Sequence, residues 1–394
     1  VNEAVLLSAC RTPIARFQGS LAGFRAPKLG ALAVGEALRR AGVEPEAVEE
    51  VILGNVLSAG LGQNPARQAA RAAGIPDAVG SLTINKVCGS GLKAVALAAQ
   101  AVRAGDADLL VAGGMESMTN APYLLPEARG GVRLGNGRLL DSMVHDGLWD
   151  GYNDFHMGMT AELVAEKYEI GREEQDAYAV ESHRRAAEAT EAGRLDAEKF
   201  AVEVPQRKAD PISFLTDETL RPGLSAEKIS GMRPAFKKDG TVTAANASAI
   251  NDGAAAVVVA SAKRAAELGI EPLARITAYA TGGCAPEWVM MAPERSIAAC
   301  ADKAGLAPDA FDLHEINEAF SVASIALTRR LELDGQKVNV NGGAVALGHP
   351  IGASGTRILV TLLHAMEQGG ARTGMASLCL GGGNAVSLAV ERGV

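Results

Sequence analysis

Short apolar runs punctuate the chain at 4–7, 51–53, 109–112, 256–260, 338–340, 376–380 and 385–390. Each is strand-length and built from Val, Leu, Ile and Ala, so each predicts a β-strand. Between several of them the apolar period changes. Leu92, Val95, Ala99 and Val102 follow Gly91 at helical spacing, and Ile358, Leu359, Leu362, Leu363 and Met366 form a helical stripe within 356–368. Short strands alternating with helices predict an α/β fold.

The pattern occurs twice. In the first half, VILGN at 51–55 precedes Cys88-Gly89-Ser90-Gly91, which opens a helix, and then a strand ending in Gly113-Gly114. In the second half, 313–317 precedes Gly352-Ala353-Ser354-Gly355, which opens a helix, and then a strand ending in Gly381-Gly382-Gly383. The two Ser-Gly pairs follow Asn55 and Asn317 at nearly equal distances, so two facing copies of one α/β unit are expected. Residues 119–243 break the pattern. They are Gly-rich at 130–137, carry amphipathic helical stretches near 161–168 and 172–192, and then run polar past Pro205, Pro211, Pro222 and Pro234. The expected division is an N-terminal half from 1–118 plus about 244–271, an inserted loop lobe at 119–243, and a C-terminal half at 272–394.

Composition narrows the classes. The 394 residues are 48% hydrophobic and 21% charged, which makes a globular chain with ample core. Aromatics are 4% against 45 glycines, so the core must be built from small side chains packed closely. A net charge of -8 opposes a nucleic-acid reader, which needs a basic face for phosphates. No apolar run approaches the ~18–20 residues of a membrane span. The opening 1–7 lacks a basic n-region and reads as a first strand rather than a signal peptide. Cys10, Cys88, Cys284, Cys300 and Cys379 are odd in number with no CxxC, which points to reduced thiols and a cytoplasmic location. The six histidines include no HExxH and no zinc spacing, so no metal site is expected.

Candidate chemistry gathers at four segments. Cys88 stands where a strand meets a helix N-terminus, a setting that favours a thiolate, and its flanking glycines would let a ligand approach the backbone. Taken alone, a buried inert cysteine is the commoner reading. His349 is fixed between Gly348 and Pro350 just before a helix. Cys379 ends a strand ahead of three glycines whose N–H groups are free to donate. His314-Glu315-Ile316-Asn317-Glu318-Ala319-Phe320 by itself reads as an N-terminal helical turn.

Together CGSG at 88–91, NEAF at 317–320, GHPIGASG at 348–355 and CLGGG at 379–383 resemble the thiolase family, over essentially the whole chain and including the insertion. AGGMESM at 112–118 and TVTAANASAINDG at 241–253 are most similar to its short-chain acetoacetyl-CoA branch. The resemblance implies a layered αβαβα core and the reversible Claisen condensation of two acetyl-CoA to acetoacetyl-CoA and CoA, through an acetyl-cysteine and with no required cofactor. It implies that Cys88 is the nucleophile, activated by His349, and that Cys379 moves the α-proton. Asn317, through a water, and His349 would form one oxyanion hole, with the backbone N–H groups of Cys88 and Gly381 forming the other. It places nucleotide contacts near Arg221, within the basic stretch Arg221, Lys228, Arg233, Lys237 and Lys238. Pantetheine or acyl contacts would fall at His156, Met157, Phe236, Ala244, Ser248, Ala319 and Phe320. A dimer or dimer of dimers is implied, with contacts from the insertion.

The chain departs from the family in three places, one of them Lys228, which stands where bacterial biosynthetic members have serine. Residues 289–293, VMMAP, replace a Gly-rich turn. In one branch a tyrosine hydroxyl joins carbonyls matching Ala244, Ala245, Ala247 and Val345 around potassium; His183 stands at that tyrosine, which argues against such a site. The alternative within the family is a degradative 3-ketoacyl-CoA thiolase of broader chain length. Outside it stand a cysteine hydrolase, which would not need Cys379, and a non-enzymatic acyl-CoA-binding protein, which would not need Cys88. P-loop, GxGxxG and GxSxG motifs are lacking.

Overall fold

The computed structural model describes residues 2–393; Val1 and Val394, the ends of the two outer expected segments, lie outside them. The core strands are β1 (Ala4–Arg11), β2 (Glu50–Gly54), β3 (Gly80–Ile84), β4 (Leu109–Ser117), β5 (Asn251–Ser261), β6 (Ala274–Gly283), β7 (Leu313–Ile316), β8 (Thr373–Leu380) and β9 (Asn384–Glu391). The helices that matter here are α1 (Ala26–Ala41), α2 (Pro65–Ala72), α3 (Ser90–Ala104), α4 (Met157–Lys167), α5 (Arg172–Glu191), α6 (Ala292–Ala304), α7 (Ser321–Arg330) and α8 (Ile351–Gly369). The strands run in the order β7-β8-β9-β6-β1-β5-β4-β2-β3. The sheets of the two halves join where β1 pairs with β6, Val5 opposite Arg275 and Leu6 opposite Ala274.

The period of two along each strand builds the layers. In β4, Leu109, Val111 and Met115 pack with α1 and α2, while Leu110 and Ala112 face α3 and α8. In β8, Ala376, Leu378 and Leu380 face the same central helices, while Met375 and Cys379 face α6 and α7. The result is the expected αβαβα stack. Because α8 is covered on both sides, all of its residues from Ile351 to Leu363 are buried, the polar Ser354, Thr356, Arg357 and Thr361 included.

The two halves repeat one another. β2 is parallel to β4 across α3, β7 is parallel to β8 across α8, and the antiparallel strands β5 and β9 follow. The second half turns from β8 to β9 in Gly381-Gly382-Gly383, whereas the first inserts everything from 118 to 250 between β4 and β5. Two expectations are corrected. The helical turn expected over 314–320 is absent: Leu313–Ile316 is strand β7, and 317–320 run non-helical up to α7. The 338–340 run, which corresponds to β3 in the repeat, is reduced to a single bridge between Val338 and His314. Asn339 adopts φ 50, which swings the chain out of line after Val338.

Helices α3 and α8 touch at glycines. A Cβ added at Gly91 would lie 2.5 Å from Thr356 Oγ1, and one at Gly355 would lie 2.5 Å from the Leu92 nitrogen. Gly91 therefore serves helix packing, not the ligand approach expected of it. Gly89 does the same, since a Cβ there would strike the Leu380 side chain.

The insertion is tied to β1 by a buried ion cluster. Arg11, fully buried, holds Asp217 with two bonds of 2.7 and 2.9 Å and Glu198 through Nε at 2.5 Å. The Arg11 charge holds the Asp217 carboxyl below its ordinary range even though burial pushes the other way. Arg11→Met should cost about 3–5 kcal/mol, because two carboxylates would be left buried and uncompensated. Since the folded Asp217 value is depressed, the stability it contributes is present above the ordinary aspartate range and lost as pH falls through the folded value. Thermal melts of parent and variant at neutral and acid pH should therefore converge on acidification.

Candidate active site

Cys88 sits on a tight turn between β3 and α3. Val87 takes φ 46, a left-handed conformation that is costly for a β-branched residue. Its neighbours enforce it. The Ser90 hydroxyl donates to the Val87 carbonyl at 2.6 Å and accepts from the Lys86 N–H at 2.8 Å, and Asn85 Oδ1 accepts from the Val87 N–H at 2.9 Å. The turn leaves Cys88 half-buried with its sulfur near the N–H groups of Cys88 itself and Gly381. Burial nevertheless pushes the Cys88 thiol up to about 12. Burial thus opposes the expected thiolate, and α3 begins only at Ser90.

His349 is buried, and its backbone N–H donates to Asn251 Oδ1 at 2.9 Å. Nδ1 lies 2.6 Å from the Ser354 hydroxyl, which itself donates to the Pro350 carbonyl at 2.9 Å. With that proton given to Pro350, Nδ1 carries the ring proton and Nε2 keeps a lone pair. Nε2 is buried without a protein partner. Burial, with the Arg357 charge, pulls the ring down to about 3, so the imidazole is neutral and can accept a proton.

Cys379 lies at the end of β8, where the pleat would aim it away from the central helices. Burial, helped by the neighbouring Cys88 sulfur, pushes it up to about 12. Its thiol points at the Met290 sulfur, 3.8 Å away. Met290 belongs to the 289–293 departure, so the sequence marked the segment without revealing which side chain would meet Cys379. Asn317 follows β7 and has both ends of its amide buried without a protein partner. It is not in the cavity wall, so any contact it makes with a ligand must run through water.

Cys88, His349, Cys379 and Gly381 line one cavity of ≈ 650 Å³. The insertion and the stretch following it form the opposite wall with His156, Met157, Arg221, Phe236, Ala244 and Ser248, joined by Ala319 and Phe320 after β7. His156 caps α4, accepting the Gly158 N–H at Nδ1 (3.0 Å), and stacks on Phe236 at 4.7 Å; Phe236 meets Phe320 edge-on at 6.1 Å. The Ser248 N–H donates to the Ala319 carbonyl at 3.0 Å, which fastens the stretch to the NEAF segment. Val289 and Met290 of the 289–293 departure also line the cavity, as do Leu148, Met118, Ile250 and Ile351, which escaped the sequence reading because scattered apolar residues carry no local signal.

Arg221, Lys228, Arg233, Lys237 and Lys238 are all exposed. Lys237 pairs with Glu166 at 3.3 Å and Lys228 donates to the Gly223 carbonyl at 2.7 Å. His183 accepts the Arg221 backbone N–H at 3.1 Å, and burial pulls its ring down to about 4. It acts there as a neutral acceptor that fixes the Arg221 backbone. Cys10 and Cys300 are buried thiols pushed up to about 12, remote from this chemistry in packing roles. Among the described residues, no group of three or more His, Cys, Asp or Glu is placed to hold a metal ion, and no helix is long and apolar enough to cross a membrane.

Comparison with known proteins agrees over the full length. The family model described as thiolase, N-terminal domain, matches residues 4–263, and the one described as thiolase, C-terminal domain, matches residues 270–392. The chain is 56% identical over 392 residues to an acetyl-CoA acetyltransferase of Cupriavidus necator and 53% identical over 392 residues to one of Pseudomonas aeruginosa, covering 100% of both chains in each case. The solved structure of the Bacillus anthracis acetyl-CoA acetyltransferase superimposes with a TM-score of 0.97 at 42% identity, covering 99% of this chain and 98% of that one.

Proposed function

This chain belongs to the thiolase family, and from that premise we propose that it catalyses the reversible condensation of two acetyl-CoA to acetoacetyl-CoA and CoA as an acetyl-CoA C-acetyltransferase. The observation that supports this reading most is the presence of two thiols and an unpartnered imidazole nitrogen in one cavity. In the first half-reaction the Cys88 sulfur attacks the thioester carbon while His349 Nε2 takes the thiol proton; the C–S bond to CoA breaks, and the departing thiolate receives that proton. In the second, Cys379 acting as its thiolate takes a proton from the α-carbon of another acetyl-CoA and afterwards passes that proton to the departing Cys88 sulfur. The resulting enolate attacks the acetyl carbon, a C–C bond forms, and the Cys88 sulfur leaves. Each step places negative charge on an oxygen, and two donor sets serve them: the N–H groups of Cys88 and Gly381 for one, and for the other a water on Asn317 with His349 Nε2, which donates only while it carries the proton taken from a thiol.

In this reading residues 1–118 with about 244–271 and residues 272–394 supply the chemistry, and 119–243 is a separate lobe that holds CoA. The protein works in the cytoplasm as a dimer or dimer of dimers. Arg221, exposed at the cavity wall, meets a CoA phosphate. Arg221→Ala is then expected to raise KM for CoA several-fold with kcat little changed, and salt should weaken CoA binding more in the parent than in the variant. The specificity test is an initial-rate series with free CoA over acetoacetyl-CoA and longer 3-ketoacyl-CoA substrates. Highest kcat/KM on acetoacetyl-CoA supports the short-chain assignment; an equal or rising value with chain length replaces it with the degradative alternative.

A further inference from the structure

The repeat locates a residue that none of the roles above uses. Gly54 pairs with Gly114 and Ile316 pairs with Ser377, so Asn55 in the first half corresponds to Asn317 in the second. Two residues past those partners stand Glu116 and Cys379. Likewise Cys88 lies two residues before Ser90, and Gly352 two before Ser354. A second copy of the constellation thus stands across the same boundary with the halves exchanged, Asn55 and Glu116 of the first half and Gly352 of the second taking the places of Asn317, Cys379 and Cys88. This copy is closed. Glu116 is fully buried, and a Cβ at Gly352 would lie 2.6 Å from its Oε2.

Four N–H groups converge on the Glu116 carboxylate. Oε1 accepts from Asn55 Nδ2 at 2.8 Å and the Leu57 N–H at 3.2 Å; Oε2 accepts from the Val56 N–H at 3.0 Å and the Gly352 N–H at 3.0 Å. Gly352 is in the first turn of α8, the helix that carries Ser354 and, through its hydroxyl, His349. Burial pushes Glu116 up to about 7, opposed by the N–H groups of Val56, Leu57 and Gly352. Because every contact is a donor, the ionised form is the one this site accepts.

We propose that Glu116 is a positioning residue: it clamps the first turn of α8 to the 55–57 segment and thereby sets Ser354 and the His349 ring against Cys88. The proposal rests on the roles given above to Cys88 and His349. A closed duplicate of the site, built across the boundary between the halves, holds the open site across the same boundary in register. In the Glu116→Gln variant the NH₂ end must face two N–H groups, so the clamp loosens without changing side-chain size. Glu116→Asp keeps an all-acceptor group on a shorter stem.

The test is single-turnover acetylation of Cys88 by acetyl-CoA, read by peptide mass spectrometry, with the pH dependence of Cys88 alkylation by iodoacetamide measured on the same proteins. Charges facing the thiol include Glu116, and Asp252 in turn faces Glu116. Removing the Glu116 charge should shift alkylation of Cys88 to lower pH. At the same time acetylation should slow by about tenfold or more, the scale of a displaced reacting group. The aspartate variant should recover part of the rate. Folded Glu116→Gln that acetylates at the parental rate, or slows only in proportion to its unfolded fraction and without a pH shift, overturns the proposal. If that variant does not fold, Asn55→Ser, which removes one donor from the clamp, should show a smaller loss of rate; a parental rate there overturns it equally. A parent that takes no acetyl group on Cys88 instead removes the reading on which the proposal rests.

Discussion

Cys88→Ala is expected to abolish condensation and thiolysis together and to leave the protein unable to take up an acetyl group from acetyl-CoA. The loss should be on the order of 10⁴–10⁶-fold, the range seen when a covalent nucleophile is removed. The parent, incubated with acetyl-CoA alone, should carry one acetyl group, on Cys88. Label on Cys379, or none, removes the assignment. The pH dependence of this half-reaction carries further information. Burial pushes the thiol up and pulls the imidazole down, so the reacting pair is neutral around neutral pH. Acetylation should therefore be flat across neutral pH, the proton passing within the pair as the sulfur attacks. A free thiolate nucleophile would instead give a tenfold rise for each pH unit.

Cys379→Ala should separate the two halves of the reaction. Acyl transfer to Cys88 needs no proton from carbon, so the variant should still form acetyl-enzyme. It should fail to exchange the α-protons of bound acetyl-CoA with D₂O, and condensation should fall by the ~10²–10⁴-fold typical of a general acid–base group, or more where no water can substitute. A cysteine there for packing predicts another result: both half-reactions drop together, through stability, and by little. Exchange at the parental rate would take Cys379 out of the mechanism and reopen the hydrolase and binding-protein readings.

The sequence showed the layers but not their joints. Runs such as 109–112 and 376–380 are apolar on both faces, and that alone places them inside α/β layers. β6 was missed because ARITAYA alternates buried with half-buried positions and lacks a continuous run, and β3 because most of its residues are exposed or half-exposed. The repeat was legible from Asn55, Asn317 and the two Ser-Gly pairs. The strand expected over 338–340 rested on its apolar run alone, and there Asn339 diverts the chain after a single bridge. At the site, glycines and a fixed histidine marked the chain positions, and the cavity gathers all of those singled out except Asn317. The protonation states were not legible. A helix N-terminus argues for a thiolate, and only the depth of burial, which sequence does not report, reverses it. Glu116 gave no signal either, because a lone carboxylate in AGGMESM looks like any other until four donors are seen around it.

The contact between Gly91 and Gly355 sets where changes in this chain can be tolerated. Cys88 and Ser354, the tether of His349, stand within a few residues of that crossing, so a single methyl group at either glycine would wedge apart the groups that must exchange a proton. The cavity's outer wall is drawn from another stretch of chain: His156, Met157, Arg221 and Phe236 have no share in the crossing. New acyl ranges could therefore evolve by redecorating the lobe while the gauge between sulfur and imidazole stays fixed by two missing side chains.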